Sequence, residues 1–102
     1  FCYVEDCVDA LLLLLEKGAA GEAYNVANRS SMASIRNYAE TLAELSGVKV
    51  TFDLPDAVER AGYTRVSRAV LDPGKLEALG WRPKYDLEAG LRDTLAKLEA
   101  LL

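Results

Sequence analysis

The chain has no histidine and only two cysteines, Cys2 and Cys7, among its 102 residues. Without histidine, no serine or cysteine can be activated as a nucleophile by an imidazole base. Two thiols fall short of the ligand set a zinc site needs. Positions five apart on a helix do not face each other, so a Cys2–Cys7 disulfide is not expected; buried thiols in a reducing cytoplasm are. Positive charge is scarce too. Twelve Lys+Arg against sixteen Asp+Glu give a net charge of −4, which argues against a nucleic-acid partner, because phosphate backbones call for a basic face. The leucine run, Leu11 to Leu15, is too short to span a bilayer. None of the five tyrosines is followed four places on by a lysine. The carboxylates fall mostly at helix starts and on outer faces, with no pattern for acid–base work.

What is present reads as one helix-rich α/β unit over residues 1–102. Val4 to Lys17 is predicted as the first helix, with Glu5, Asp6 and Asp9 at the positive end of its dipole and Gly18 after its end. No EF-hand glycine or terminal glutamate accompanies those acids, so calcium is not expected. Five consecutive leucines cover that helix all round, which implies burial on more than one side. A chain this short offers little surface to cover them, so a missing neighbour or self-association is expected. Phe1 is no initiator, and the chain is expected to be a segment of something longer.

Gly18-Ala19-Ala20-Gly21 lacks the third glycine of a dinucleotide loop and follows a helix instead of a strand. Glu22 to Ala27 alternates like a strand. The polar loop Asn28-Arg29-Ser30-Ser31 lies beyond it, where α/β sheets collect ligands or where the chain simply turns. Ser34 is predicted to cap a second helix with the stripe Ile35, Tyr38, Ala39, Leu42 and Leu45, closed by Gly47. Val48 to Phe52 alternates as a second strand, and strand–helix–strand order implies a parallel pair. Asp56 to Ala61 has room for a helical turn ended by Gly62. Asp86 caps a last helix whose stripe is Leu87, Leu91, Leu95, Leu98 and Leu102, with Asp93 and Lys97 as an i,i+4 pair.

Between these lies the stretch from Val66 to Pro83. It reads as a short extended run, then Asp72 as a cap, Pro73 at a position helices tolerate, Gly80 as a stop and Trp81 as an aromatic plug. Arg60, Arg65 and Arg68 fall within nine positions, the one local concentration of positive charge. A guanidinium beside a loop offers a rigid fork of donors to a phosphate; the alternative is an ordinary surface arginine.

Several short motifs occur in order. They are Phe1-x-Tyr3-Val4-x-Asp6, Gly21-Glu22-Ala23-Tyr24-Asn25-Val26, Asp72-x-x-Lys75-Leu76, Leu79-Gly80-Trp81-x-Pro83 and Leu87-x-x-Gly90-Leu91. Together they resemble the carboxyl-terminal part of extended short-chain dehydrogenase/reductases, the nucleotide-sugar epimerases and dehydratases. That resemblance implies a small helix-rich substrate-binding lobe with a short parallel β pair and about four helices. It also implies an NAD(P)-binding Rossmann domain elsewhere in the polypeptide, carrying the Tyr-x-x-x-Lys pair and the cofactor. This lobe would then be inactive alone, would clasp a nucleotide-sugar substrate, and would act in the cytoplasm within a homo-oligomer, with no nucleic acid or membrane. Arg68 is the first candidate for the phosphate contact, Arg60 the second and Arg65 the third. Arg60-Ala61-Gly62 resembles an Arg-x-Gly element of such enzymes, set further from Asp72 than usual. Tyr3 and Asn25 are expected to be structural. The competing expectation is a stand-alone interaction module that dimerises through the leucine-rich first helix.

Overall fold

The computed structural model describes residues 1–63 and 69–102. Its elements are helices: α1 (Val4–Lys17), α2 (Ile35–Ser46), α3 (Ala57–Ala61), α4 (Gly74–Ala78) and α5 (Leu87–Leu101), with a 3-10 turn at Arg29–Ser31. The local signals act as their chemistry dictates. The side chains of Ser34, Asp56 and Asp86 accept from the backbone N–H three residues on, and Glu59 completes a capping box with Asp56. Gly47 closes α2 in the left-handed conformation at φ 70°, and the N–H groups of Gly47 and Val48 both return to the Ala43 carbonyl. α4 begins one residue later than its signal, at Gly74. Asp72 still acts as the cap in substance, because its Oδ1 accepts the Gly74 N–H at 2.9 Å.

The centre is small. Ala10 of α1, Leu76 of α4 and Trp81 form it, with Cys2, Leu13, Leu14 and Val26 packed around. Trp81 is the expected plug: it is buried, and its indole N–H donates to the Asp6 carbonyl at 3.1 Å. The Asp6 carboxylate, 1% exposed, accepts the backbone N–H of Lys84 at 2.9 Å and of Tyr85 at 3.1 Å. One residue of α1 therefore fixes the whole Trp81–Tyr85 connection. Asn28 does the same from the other side. It is 5% exposed, donates to the Tyr85 carbonyl at 2.7 Å, and accepts from Ser30 N–H and Oγ–H. α5 packs on α2 and approaches α1 through Gly90, where an added Cβ would stand 3.3 Å from the Tyr3 ring.

The expected parallel β pair is absent: among the described residues there is no strand. A strand holds its shape by giving its N–H and C=O groups to a neighbour, and among the described residues no strand lies beside Glu22 to Ala27. Side chains take the segment instead. Lys75 binds the Glu22 carboxylate at 2.7 Å and the Ala23 carbonyl at 3.3 Å, Tyr24 Oη accepts Ala19 N–H, and Asn25 donates to the Asp72 carbonyl at 3.1 Å. Val48 to Phe52 unwinds from the α2 cap and ends with Phe52 under the Arg36 guanidinium, 4.4 Å from its ring centre. Of the extended run predicted from Val66 to Leu71, positions 66–68 lie outside the described residues and 69–71 carry no regular structure. α1 also departs from expectation. One face is buried, at Asp6 and Ala10, while Leu11, Leu12 and Leu15 stay mostly exposed.

Candidate functional site

The densest polar cluster joins the start of α1 to the outer face of α5. Tyr3 donates to the Asp93 carboxylate, Tyr85 donates to Glu5 at 2.9 Å, and the two rings meet edge to face at 4.6 Å. Lys97 bridges Glu5 and Asp93, at 2.8 Å from the latter, and donates to Tyr3 Oη at 3.3 Å. A tyrosine beside a lysine invites an acid–base reading, but the electrostatics run the other way. The carboxylates of Asp93 and Glu5 hold the Lys97 ammonium far above its ordinary range. The hydrogen bond to Glu5 pushes the Tyr85 phenol upward. Lys97 and Tyr85 in turn hold Glu5 down, and Lys97 and Tyr3 do the same for Asp93. Glu5, Tyr85, Asp93 and Lys97 are each held in their resting protonation state, which makes the cluster a latch between helices. The expectation that Tyr3 is structural agrees with this geometry.

The loop after residue 27 is also fully engaged. Arg29 directs Nε to both oxygens of Glu77 at 2.9 Å and Nη2 to Asp72 at 2.7 Å, and these contacts raise its pKa. Its fork is therefore occupied. The open groove beside the loop, about 570 Å³, is lined by Ser30, Thr41, Glu44, Asp86, Glu88 and Arg92 among others. Arg92 is already paired with Glu88 at 2.6 Å. Three carboxylates and one neutralised arginine do not suit an anion. A second hollow of about 210 Å³ lies between Tyr3, Tyr38, Leu87 and Leu91, with Cys2 at its wall. Cys2 and Cys7 are free, half-buried thiols. Burial, then hydrogen bonding to Cys7, pushes the Cys2 thiol up to about 12, which removes it as a nucleophile at neutral pH. The two thiols touch because Cys2 precedes the helix, so helical spacing does not separate them.

Of the arginines singled out from the sequence, Arg60 stands exposed on α3, and among the described residues no carboxylate pairs with its guanidinium. Arg65 and Arg68 lie outside the described residues. Asn25 is exposed and donates to the Asp72 carbonyl. Asp6, Asn28 and Arg29 organise the centre and its rim; the sequence pointed to Asn28 and Arg29 only as part of a loop where ligands collect or the chain turns, and to Asp6 as a helix-start acid. Asp6 had a signal, since it ends the Tyr3-Val4-x-Asp6 motif. The Gly18 N–H closes the end of α1 on the Leu14 carbonyl at 2.8 Å. Among the described residues there is no acid–cysteine cluster able to hold a metal, and no helix long and apolar enough to cross a membrane.

Along nearly its whole length the chain is similar to the carboxyl-terminal part of dTDP-glucose dehydratases and GDP-fucose synthases. It is 35% identical over 103 residues to the dTDP-glucose 4,6-dehydratase of Haemophilus influenzae, covering 91% of this chain and 30% of that protein. It is 35% identical over 95 residues to the GDP-L-fucose synthase of Sinorhizobium fredii, covering 89% and 27%. The low-salt glycan biosynthesis protein Agl12 of Haloferax volcanii is 32% identical over 89 residues, covering 87% and 27%. The chain thus spans less than a third of the length of these relatives. No family model and no solved structure matches it.

Proposed function

We propose that residues 1–102 form the nucleotide-sugar-binding carboxyl-terminal part of an NAD(P)-dependent sugar epimerase or dehydratase, without turnover of its own. The observation that carries this is the likeness over about nine-tenths of the chain to a dTDP-glucose dehydratase and a GDP-fucose synthase. In this reading a Rossmann domain elsewhere in the polypeptide binds NAD(P), and the cofactor supplies hydride transfer. The lobe clasps the diphosphate of the substrate. Its free thiols suit a cytoplasmic setting.

The distribution of charge supports the choice of anion reader. Arg29, Lys75, Arg92 and Lys97 are each held by carboxylates, and Arg82 donates to the Glu77 and Trp81 carbonyls. Among the described residues Arg60, like Arg36, Lys17 and Lys49, has no carboxylate within ion-pair distance, which leaves its donors open to a ligand. Arg68 and Arg65, close behind in sequence, complete the proposed phosphate contact, with Arg68 foremost. The test is titration of the chain with UDP-, dTDP- and GDP-sugars, followed by amide NMR shifts. Shifts centred on Arg60 to Arg68 are expected, weakened about tenfold or more by Arg68→Ala and Arg60→Ala, since a charge-assisted bidentate contact contributes on that scale. Binding left unchanged by both substitutions would remove the arginines from the site.

A further inference from the structure

We infer that Cys2 and Cys7 form a redox-reactive dithiol, which a small disulfide such as oxidised glutathione closes into an intramolecular disulfide at the entry of α1. Tyr3 is the cap residue of α1. Cys2 and Cys7 therefore occupy the two positions of a hydrophobic staple, where the side chain preceding the cap packs on the one five places later. Helical spacing does not separate them, because only Cys7 belongs to the helix. The Cys7 N–H donates to the Tyr3 carbonyl at 3.0 Å, and the Cys7 thiol donates to the Cys2 carbonyl at 3.9 Å. The two thiols are in hydrogen-bonding contact, so closure asks little of the backbone. Cys2 packs against the core of Ala10, Leu76 and Trp81, which holds its side chain in place. Both thiols are half-buried, and each keeps part of its surface open to a small oxidant.

The chemistry is a two-electron exchange. Cys7 attacks as its thiolate one sulfur of glutathione disulfide; that S–S bond breaks, and one glutathione leaves and takes up a proton. Cys2 then loses its proton to water and attacks Cys7 Sγ in the mixed disulfide, and the second glutathione leaves in the same way. Two protein thiols are oxidised, and one glutathione disulfide is reduced to two glutathiones. The site sets the order of attack. Burial keeps Cys2 protonated, and contact with Cys7 adds to this until Cys7 is capped. The closed ring contains Tyr3, Glu5 and Asp6, which bind Asp93, Lys97 and the amides of Lys84 and Tyr85. The redox state of the pair thus bears on the contacts that fix α5 and the Trp81–Tyr85 connection. In a reducing compartment such a disulfide is of the transient, sensing kind. This inference stands apart from the nucleotide-sugar reading, because neither thiol takes part in the proposed anion contact.

The experiment equilibrates the 102-residue chain in buffers of graded oxidised-to-reduced glutathione ratio, with and without denaturing urea. After acid quenching and alkylation of the remaining thiols, mass spectrometry weighs the tryptic peptide that ends at Lys17. An intramolecular bond shows as the loss of two hydrogens with no alkylation and no glutathione. The equilibrium constant for closure should be about tenfold or more larger in the folded chain than in urea, because the fold holds the two sulfurs together. This comparison uses the unaltered sequence, so it stands whether or not a variant folds. Cys2→Ser should collect glutathione on Cys7, and Cys7→Ser should react about tenfold or more slowly by comparison, because burial keeps Cys2 protonated. Trp81 fluorescence reports the fold of each variant. Equal closure in folded and unfolded chain would overturn the inference, as would equal rates for the two variants when both are folded. So would a mixed disulfide that persists on the unaltered chain, or bonds between chains in place of closure.

Discussion

Asp6 offers the sharpest test of how this chain is held together. Its carboxylate is 1% exposed and takes two backbone N–H groups, of Lys84 and Tyr85, at 2.9 and 3.1 Å. Replacing it with alanine leaves both donors without their partner in a part-buried position. Hydrogen bonds to a charged acceptor contribute about 1.5–3 kcal/mol each, and stranded donors cost a similar amount. Asp6→Ala should therefore destabilise the fold by about 3–5 kcal/mol, a large share of the 5–15 kcal/mol expected for a domain of this size. Asp6→Asn keeps one accepting oxygen but aims an amide N–H at the other donor, so about half the loss is expected. Asp9, one turn away, is the control: it is exposed and only 3.9 Å from Lys84, so Asp9→Ala should change stability by no more than about 0.5 kcal/mol. Urea unfolding followed by Trp81 fluorescence measures all three. A loss below about 1 kcal/mol for Asp6→Ala would refute the reasoning, since it would mean the Lys84 and Tyr85 amides find other partners at little cost.

Two further outcomes follow from the same contacts. Gly90→Ala should destabilise by about 1 kcal/mol although alanine favours helices, because the new methyl stands 3.3 Å from a Tyr3 ring pinned by Asp93 and Tyr85; overpacking of about 1–3 kcal/mol outweighs a propensity gain near 1. Urea midpoints decide it, and a stabilised variant would show that Tyr3 can yield. The latch around Lys97 should show its pH dependence at the extremes. Glu5 and Asp93 are lowered from 4.5 and 3.8, so their contribution is present above those values and is lost as pH falls through the depressed ones. Lys97 is raised from 10.5, so its contribution is full below that value and is lost only at still higher pH. Carboxyl NMR shifts should place the Glu5 midpoint below 4.5, and Lys97→Met should move it back up; an unmoved midpoint would dissolve the latch.

Most of the helical framework was legible because its signals are local. Val4–Lys17 is framed by its acids and Gly18, Ser34 and Gly47 bracket α2, and Asp86 opens α5; each acts within four residues of itself. Trp81 declared itself as a plug by type and position. The polar centre was harder to read. Nothing within a turn of Asp6 reveals that its carboxylate meets amides some 80 positions away, and Asn28 looked like one more residue of a polar loop. Arg29 was passed over in favour of Arg60, Arg65 and Arg68 because clustering in sequence is visible, whereas pairing with Asp72 and Glu77 is not.

The strands failed for a different reason, and the reason bears on function. Glu22 to Ala27 has the alternation of a strand, and Val26 does pack against the core. Alternation records which faces a segment can bury; a ladder also needs a second backbone at about 4.8 Å. The described residues bring none alongside, so Lys75 takes the Glu22 carboxylate and Ala23 carbonyl while the Tyr24 and Asn25 side chains reach out to Ala19 and Asp72. The same incompleteness marks α1, patterned for burial on two faces and covered on one. A sequence patterned for more partners than its own chain supplies is consistent with relatives more than three times its length. Local pattern and global fold agree when every partner is present. Here they part company along the strand-like segments and the leucine-rich helix, whose patterning asks for more cover than the described residues supply.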